Sequence, residues 1–313
     1  MFSKKLLIPL LSLSLLVTPA YSSHAAENAE AAGTSVEGQG MLSPSSSSES
    51  FESVFNGSGA GTSSEPVTDE KLETILKQVQ SQLPTENGTW AVFISDLVNG
   101  TEGNLNDQKM QAASLIKLYI MGAVYEDYDS LSSKYSKDQL DNALNSMITV
   151  SDNESFNELV RRNSSYRSFT NGCSVINRYL KKAGCTKTGC HSSLHPSASS
   201  FIWDGHSNMT SAKDAGLILE KIYKGECVSA KYSKEMLNLL LHQTRRWKIP
   251  AGLPSGIKCA NKTGENDSCQ NDVAIVYGKK TTYIVCIFSQ TYEGSGVSGI
   301  RALSSKIYRA LNN

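Results

Sequence analysis

The chain has no apolar run long enough to cross a membrane. The stretch that comes nearest, Leu6 to Val17, falls short of the ~20 residues a spanning helix needs. It also has no excess charge, with 30 Lys and Arg against 30 Asp and Glu in 313 residues, and no basic stripe interleaved with aromatics. Neither nucleic acid nor stable membrane insertion is therefore expected. Cysteine is missing before Cys173, so no residue after the apolar run can carry a lipid anchor. Glutamate is missing from Leu159 to Leu219, an absence that bears on the chemistry below.

What is there divides into three parts. Lys4 and Lys5, the apolar run and the small residues ending near Ala26 have the build of a secretory signal peptide over residues 1–26, which predicts an extracytoplasmic protein. Residues 27–66, including "SPSSSSESFESVFNGSGAGTSSEP", are rich in Ser, Gly and Glu and have little to bury, so they read as a disordered tether. Residues 67–313 are long enough for one domain with a sizeable core. Export makes disulfides permissible, and Cys185 and Cys190 are close enough in sequence to close a small loop; an odd total of seven leaves at least one thiol over. Cys185 and Cys190 with His191 and His195 have a faint zinc-like spacing, but no second cysteine pair completes it, so no metal and no cofactor is expected.

Periodicity gives an α+β domain. "TDEKLETILKQVQSQL" sets Leu72, Ile75, Leu76, Val79 and Leu83 on one helical face, with Thr68 as N-cap. "TWAVFISDL" and the short run after "NGTEGN" read as strands. "SLIKLYIMGAVYE" is apolar nearly all round and predicts a buried helix. "KDQLDNALNSMITV", "NESFNELVRR" and "TSAKDAGLILEKIYKGE" are amphipathic. "GIKCANKTG", "DVAIVYG" and "TTYIVCIFS" are strand-like, and "SGIRALSSKIYRALNN" closes the chain as a helix. Strands at both ends predict one antiparallel sheet, with the helical middle as a second lobe and a cleft between them.

Ser114-Leu115-Ile116-Lys117 opens the buried helix, where residues three apart share a face, so a hydroxyl nucleophile and an amine base can meet. A Lys buried near another cation can lose its proton near neutral pH. A second copy of the pattern, Ser255 to Lys258, enters a strand, where i and i+3 face opposite sides, and is discounted. Ser151-Asp152-Asn153 falls between two helices. Ser151 is a candidate proton relay and Asn153 a candidate ligand for a substrate carbonyl, a helix cap being the alternative. Lys-Thr-Gly occurs twice. Lys187-Thr188-Gly189 is flanked by Cys185 and Cys190 with no strand pattern, so it belongs to a loop; Lys262-Thr263-Gly264 ends a strand with a hairpin partner and is the candidate functional copy.

The three motifs in this order resemble those of class A β-lactamases and related penicillin-binding proteins. The resemblance runs from about residue 67 to the end. It takes in Asn157 within "SDNESFN", "AGLP" before Lys262, "NDVAIVYG" after it, and a Thr-initiated helix at "TSAKDAGLIL". It implies a five-stranded antiparallel sheet flanked by terminal helices, with an all-helical lobe. It further implies a monomeric serine hydrolase acting on a β-lactam or a peptidoglycan stem peptide. By that likeness Ser114 is acylated, Lys117 activates it, and Ser151 passes the proton to the leaving amine. Asn153 binds the acyl amide, Lys262 and Thr263 hold the substrate carboxylate, Gly264 lets substrate approach, and the backbone N–H groups of Ser114 and Glu265 form an oxyanion hole.

Three departures stand out. The family carries a small residue at the place of Glu265, whose carboxylate is expected to repel an anionic substrate. The family also carries a loop Glu that activates the deacylating water. Here the matching loop, "HSSLHPSASSFIWDGHSNMT", has only Asp204, with His195 and His206 as other candidate bases. Finally, Ser151 follows Lys117 by only 34 positions, a shorter segment than usual, which suggests an open cleft. Two alternatives follow from the missing Glu: a D-Ala-D-Ala peptidase or transferase that β-lactams inhibit, and a non-catalytic wall-binding protein on the same fold.

Overall fold

The computed structural model of the chain describes residues 69–83, 88–195 and 205–313. The expected signal peptide and tether, the Thr68 cap and Asp204 lie outside the described residues.

Helix α1 (Asp69–Gln80) precedes the hairpin of β1 (Thr89–Asp96) and β2 (Thr101–Leu105). After the two-residue strand β3 (Met110–Gln111), a 3-10 turn over Ala113–Leu115 leads into α2 (Ile116–Glu126). The helical lobe continues through α3 (Tyr128–Tyr135), α4 (Lys137–Thr149), α5 (Asn153–Arg162) and α6 (Phe169–Ala183). Strand β4 (Met209–Thr210) pairs with β3, and α7 (Ala212–Lys224) and α8 (Ala230–Leu241) follow. Strands β5 (Lys258–Asn266), β6 (Cys269–Tyr277) and β7 (Thr282–Gln290) and helix α9 (Glu293–Asn312) complete the chain.

The main sheet is antiparallel in the order β2-β1-β7-β6-β5, so the first and last thirds of the domain interlock at the β1–β7 pair, with Val92 opposite Ile287. Strands β1, β5, β6 and β7 are buried on both faces because helices cover both, while the edge strand β2 is part-exposed. On one face α1 and α9 pack Leu72, Ile75, Leu76, Val79, Ile300, Leu303 and Ile307 against Trp90, Val92, Ile94 and Val285. On the other lies α7, where a side chain at Gly216 would strike the Phe93 ring, so only glycine permits that approach. Ser211 caps α7 by accepting from Asp214 N at 3.1 Å, so the Thr-initiated expectation is off by one residue.

Every residue of α2 from Ile116 to Tyr125 is buried, as its all-round apolarity predicts. Helices α3, α6 and α8 were not expected from the sequence. The buried face of α6 includes Gly172 and Cys173, and that of α8 includes Ser233, so neither shows a full apolar stripe.

One pairing differs from expectation. Cys190 faces Cys173 on α6, with the sulfurs 3.3 Å apart, rather than Cys185. All seven cysteines are buried and none is in a disulfide. Among the described residues, no three His, Cys, Asp or Glu side chains converge as metal ligands, and no helix is long and apolar enough to cross a membrane.

Candidate active site

The turn that carries Ser114 is held from three sides. Ala112 N donates to Asn208 O at 2.9 Å, tying it to the residue just before the ribbon strand β4. Asn271 on β6 donates its side-chain N–H to Gln111 O at 2.9 Å. Gly264 on β5 presses against the turn: a Cβ there would lie 2.6 Å from Ala112 O and 2.8 Å from Leu115 N. Gly264 therefore makes room for the backbone of the turn that carries Ser114. Ala113, just before Ser114, has φ 45°, a strained value for a residue with a side chain.

Ser151 is positioned by the α4–α5 junction. Asp152 caps α5 by accepting from Ser155 N at 2.6 Å, and its own N–H donates to Ser146 O at 3.0 Å. Asp152, not Ser151, is therefore the helix cap. Ser151 sits at φ 61°, the second strained non-glycine in the cleft, which turns its hydroxyl to the lysines.

The lysine between them is fully buried. Lys117 Nζ lies 2.9 Å from Ser114 Oγ, 2.7 Å from Ser151 O, 2.6 Å from Asn153 Oδ1 and 3.2 Å from Ser151 Oγ. Burial first, then the charges of Lys262 and Arg245, lower its pKa from 10.5 to about 6. A neutral amine has two N–H bonds and one lone pair. The Ser151 carbonyl and the Asn153 amide oxygen can only accept, so they take both N–H bonds. That leaves the lone pair for a hydroxyl, and Ser114 Oγ at 2.9 Å is nearer than Ser151 Oγ at 3.2 Å.

Lys262 Nζ donates to Ser151 Oγ at 2.9 Å and to Thr263 O at 2.7 Å, so Ser151 bridges the two lysines. Burial lowers the Lys262 pKa to about 7. Glu265 opposes that shift, while Arg245 and Lys248 reinforce it.

Asn153 is committed at both ends: besides accepting from Lys117, it donates to His195 O at 2.6 Å. It orients Lys117 and pins the loop that forms the cleft's far wall. Asn157 holds the same loop, donating to Leu194 O and accepting from Leu194 N, both at 2.9 Å. The cleft is open, about 280 Å³, and Ser114, Asn153, Leu194, His195, Asn208 and Glu265 line it.

Glu265 does not stand as a bare charge. Arg245 and Lys248, which the sequence could not place, both donate to its carboxylate, Lys248 at 2.7 Å. Burial works against the charged form, but the two cations and Lys262 outweigh it and hold the carboxyl below its ordinary value.

The remaining candidates fall elsewhere. Lys187 N and Thr188 Oγ1 donate to Asp214 at 2.8 and 2.7 Å, and Lys187 Nζ to Asp107 at 2.6 Å, so the first Lys-Thr-Gly is a structural loop. Lys258 is an exposed residue at the start of β5. The His206 ring packs edge-on to His191, and His195 contributes its backbone carbonyl to the wall.

Comparison with known proteins agrees with this architecture. A family model described as "Beta-lactamase enzyme family" matches residues 71–138 and 130–311, and the chain belongs to that family of serine β-lactamases and penicillin-binding proteins. Among solved structures, PBP-A is similar at 22% identity and TM-score 0.65, over 76% of this chain and 96% of that one. A substituted PBP-A, solved as an acyl-enzyme complex with penicillin G, is similar at 22% identity and TM-score 0.62, over the same shares. A β-lactamase from Sphaerobacter thermophilus is similar at 18% identity and TM-score 0.63, over 78% of this chain and 98% of that one. No curated protein matches the chain.

Proposed function

We propose that the protein is an extracytoplasmic serine acyl-enzyme that opens β-lactams at Ser114 and releases the product slowly. The observation that carries this is the proton arrangement at Lys117, whose lone pair is left facing hydroxyls, with Ser114 Oγ the nearer at 2.9 Å. Ser114 Oγ attacks the lactam carbonyl as its proton passes to Lys117 Nζ. The oxyanion is held by the backbone N–H groups of Ser114 and Glu265, an arrangement worth roughly 3 kcal/mol of barrier per donor. The C–N bond then breaks, and the nitrogen takes a proton from Ser151, which is resupplied by the lysines on either side.

Release requires water activated by a base. The loop wall offers Leu194 where the cleft meets Asn153 and Asn157, and the 159–219 segment has no Glu. The same machinery would cleave an acyl-D-Ala-D-Ala peptide, and the loop's lack of a carboxylate at Leu194 is what keeps that reading open. The N-terminal segment supports export, and nothing in the acylation chemistry asks for a second subunit or a metal.

Benzylpenicillin consumption separates the cases. The expected course is a stoichiometric burst followed by a steady rate slow enough to resolve by hand mixing. Consumption with no burst would mean an efficient base in the loop, and no consumption with either the drug or a D-Ala-D-Ala peptide would leave a binding protein.

A further inference from the structure

We infer that Glu265 is a specificity residue: its carboxylate fills the anion position of the cleft from within, so the site favours acyl donors whose group beside the scissile bond is uncharged. This rests on the acyl-enzyme reading above and names the substrate class for that site.

Glu265 follows Lys262-Thr263-Gly264 directly on β5 and lines the cleft with Ser114. One carboxylate oxygen, Oε1, accepts from Arg245 and, at 3.4 Å, from Thr263 Oγ1. The other, Oε2, accepts from Lys248 at 2.7 Å. Thr263 is one of the two groups by which a substrate carboxylate would be held, and Arg245 is the partly exposed guanidinium beside it, its side chain 35% accessible. Both already have an anion. Lys262, the other group, spends its contacts on Ser151 and on Thr263 O.

A substrate carboxylate entering here meets a like charge and must take Arg245 and Thr263 from it. Glu265 cannot retreat without breaking its ion pair to the fully buried Lys248, which would then keep only the Gly264 and Asn271 carbonyls and the nearby Asp272. Like-charge rejection of this kind discriminates by several kcal/mol where the groups are partly desolvated. An ester or amide escapes it and can still use the Thr263 hydroxyl as a hydrogen-bond partner.

The test compares acylation rate constants for benzylpenicillin and its methyl ester, read as adduct mass against time on the full chain. The native protein is expected to acylate faster with the ester. Glu265→Gln keeps the backbone N–H and the side-chain shape, and is expected to raise the acid-to-ester ratio about tenfold, the effect of about 1.4 kcal/mol. Because that variant strips Lys248 of its anion, Arg245→Gln serves as the second variant. It leaves Glu265 less compensated and is expected to lower the ratio. The ester rate falls too, because Lys117 also loses a neighbouring cation that keeps it neutral, but by less than the acid rate. Adducts with an acid-to-ester ratio that neither variant moves overturn the inference and leave the acyl-enzyme standing. No adduct from either probe on the native protein overturns the acyl-enzyme reading and the inference with it.

Discussion

Lys117 and Lys262 converge on one hydroxyl, yet the proposed chemistry asks opposite charges of them. Lys117 has to be neutral to take the Ser114 proton; Lys262 has to be charged to polarise Ser151 and draw in an acyl donor. With Lys117 lowered to about 6 and Lys262 to about 7, acylation should rise as pH passes about 6 and fall as it passes about 7. A rate constant flat from pH 5 to 9 would contradict these roles. Lys117→Arg is expected to lose at least about 10²-fold in acylation, because a guanidinium donates only and never supplies a lone pair. Gly264→Ala should displace the nucleophile turn, costing about 1–3 kcal/mol in unfolding free energy together with most of the acylation rate. A variant that melts like the native protein and acylates normally would show that the close approach is dispensable.

At the scale of the element, the α4–α5 junction and the wall loop do the positioning. Asp152→Ala removes the α5 cap and should cost about 1 kcal/mol, with a slower proton step because Ser151 and Asn153 flank the capped residue. Leu194→Glu places a carboxylate in the cleft wall on a backbone that Asn157 grips from both sides. It is expected to shorten the adduct's lifetime about 10²-fold while leaving its formation largely unchanged. An unchanged lifetime would mean that deacylation is limited by something other than the base. Cys173 and Cys190, buried with sulfurs 3.3 Å apart, should oxidise to a disulfide that closes a loop of about 17 residues and adds about 3 kcal/mol, read as a difference in denaturation midpoint with and without reductant.

The sequence carried the motifs at this scale because each is local: Ser114 and Lys117 share a helix face, and Lys262 to Gly264 lie along one strand. It did not carry the groups that come from a distance. Arg245 and Lys248 reach Glu265 from the segment between α8 and β5, which has no periodicity to read. Asn271 reaches the nucleophile turn across the sheet. Helix α6 escaped notice because Gly172 lies on its buried face, where a side chain would meet Val160 O.

For the whole molecule, the sheet makes the two ends of the domain interdependent: β1 and β2 come from one end, β5 to β7 from the other, and the helical lobe is strung between them. Ser114 leaves the first part, Ser151 comes from the lobe, and Lys262 returns on the last. A chain beginning at residue 67 is therefore expected to fold and acylate like the full chain, which a matched rate comparison would check. The central claim is the bond to Ser114. The direct measurement is the intact mass of the protein after benzylpenicillin is added, followed from minutes to hours, with Ser114→Ala alongside. The account predicts a penicilloyl adduct that maps to the peptide holding Ser114, persists over that time and is missing from the variant. An adduct of equal size on Ser114→Ala, or mapping to any other residue, would contradict it.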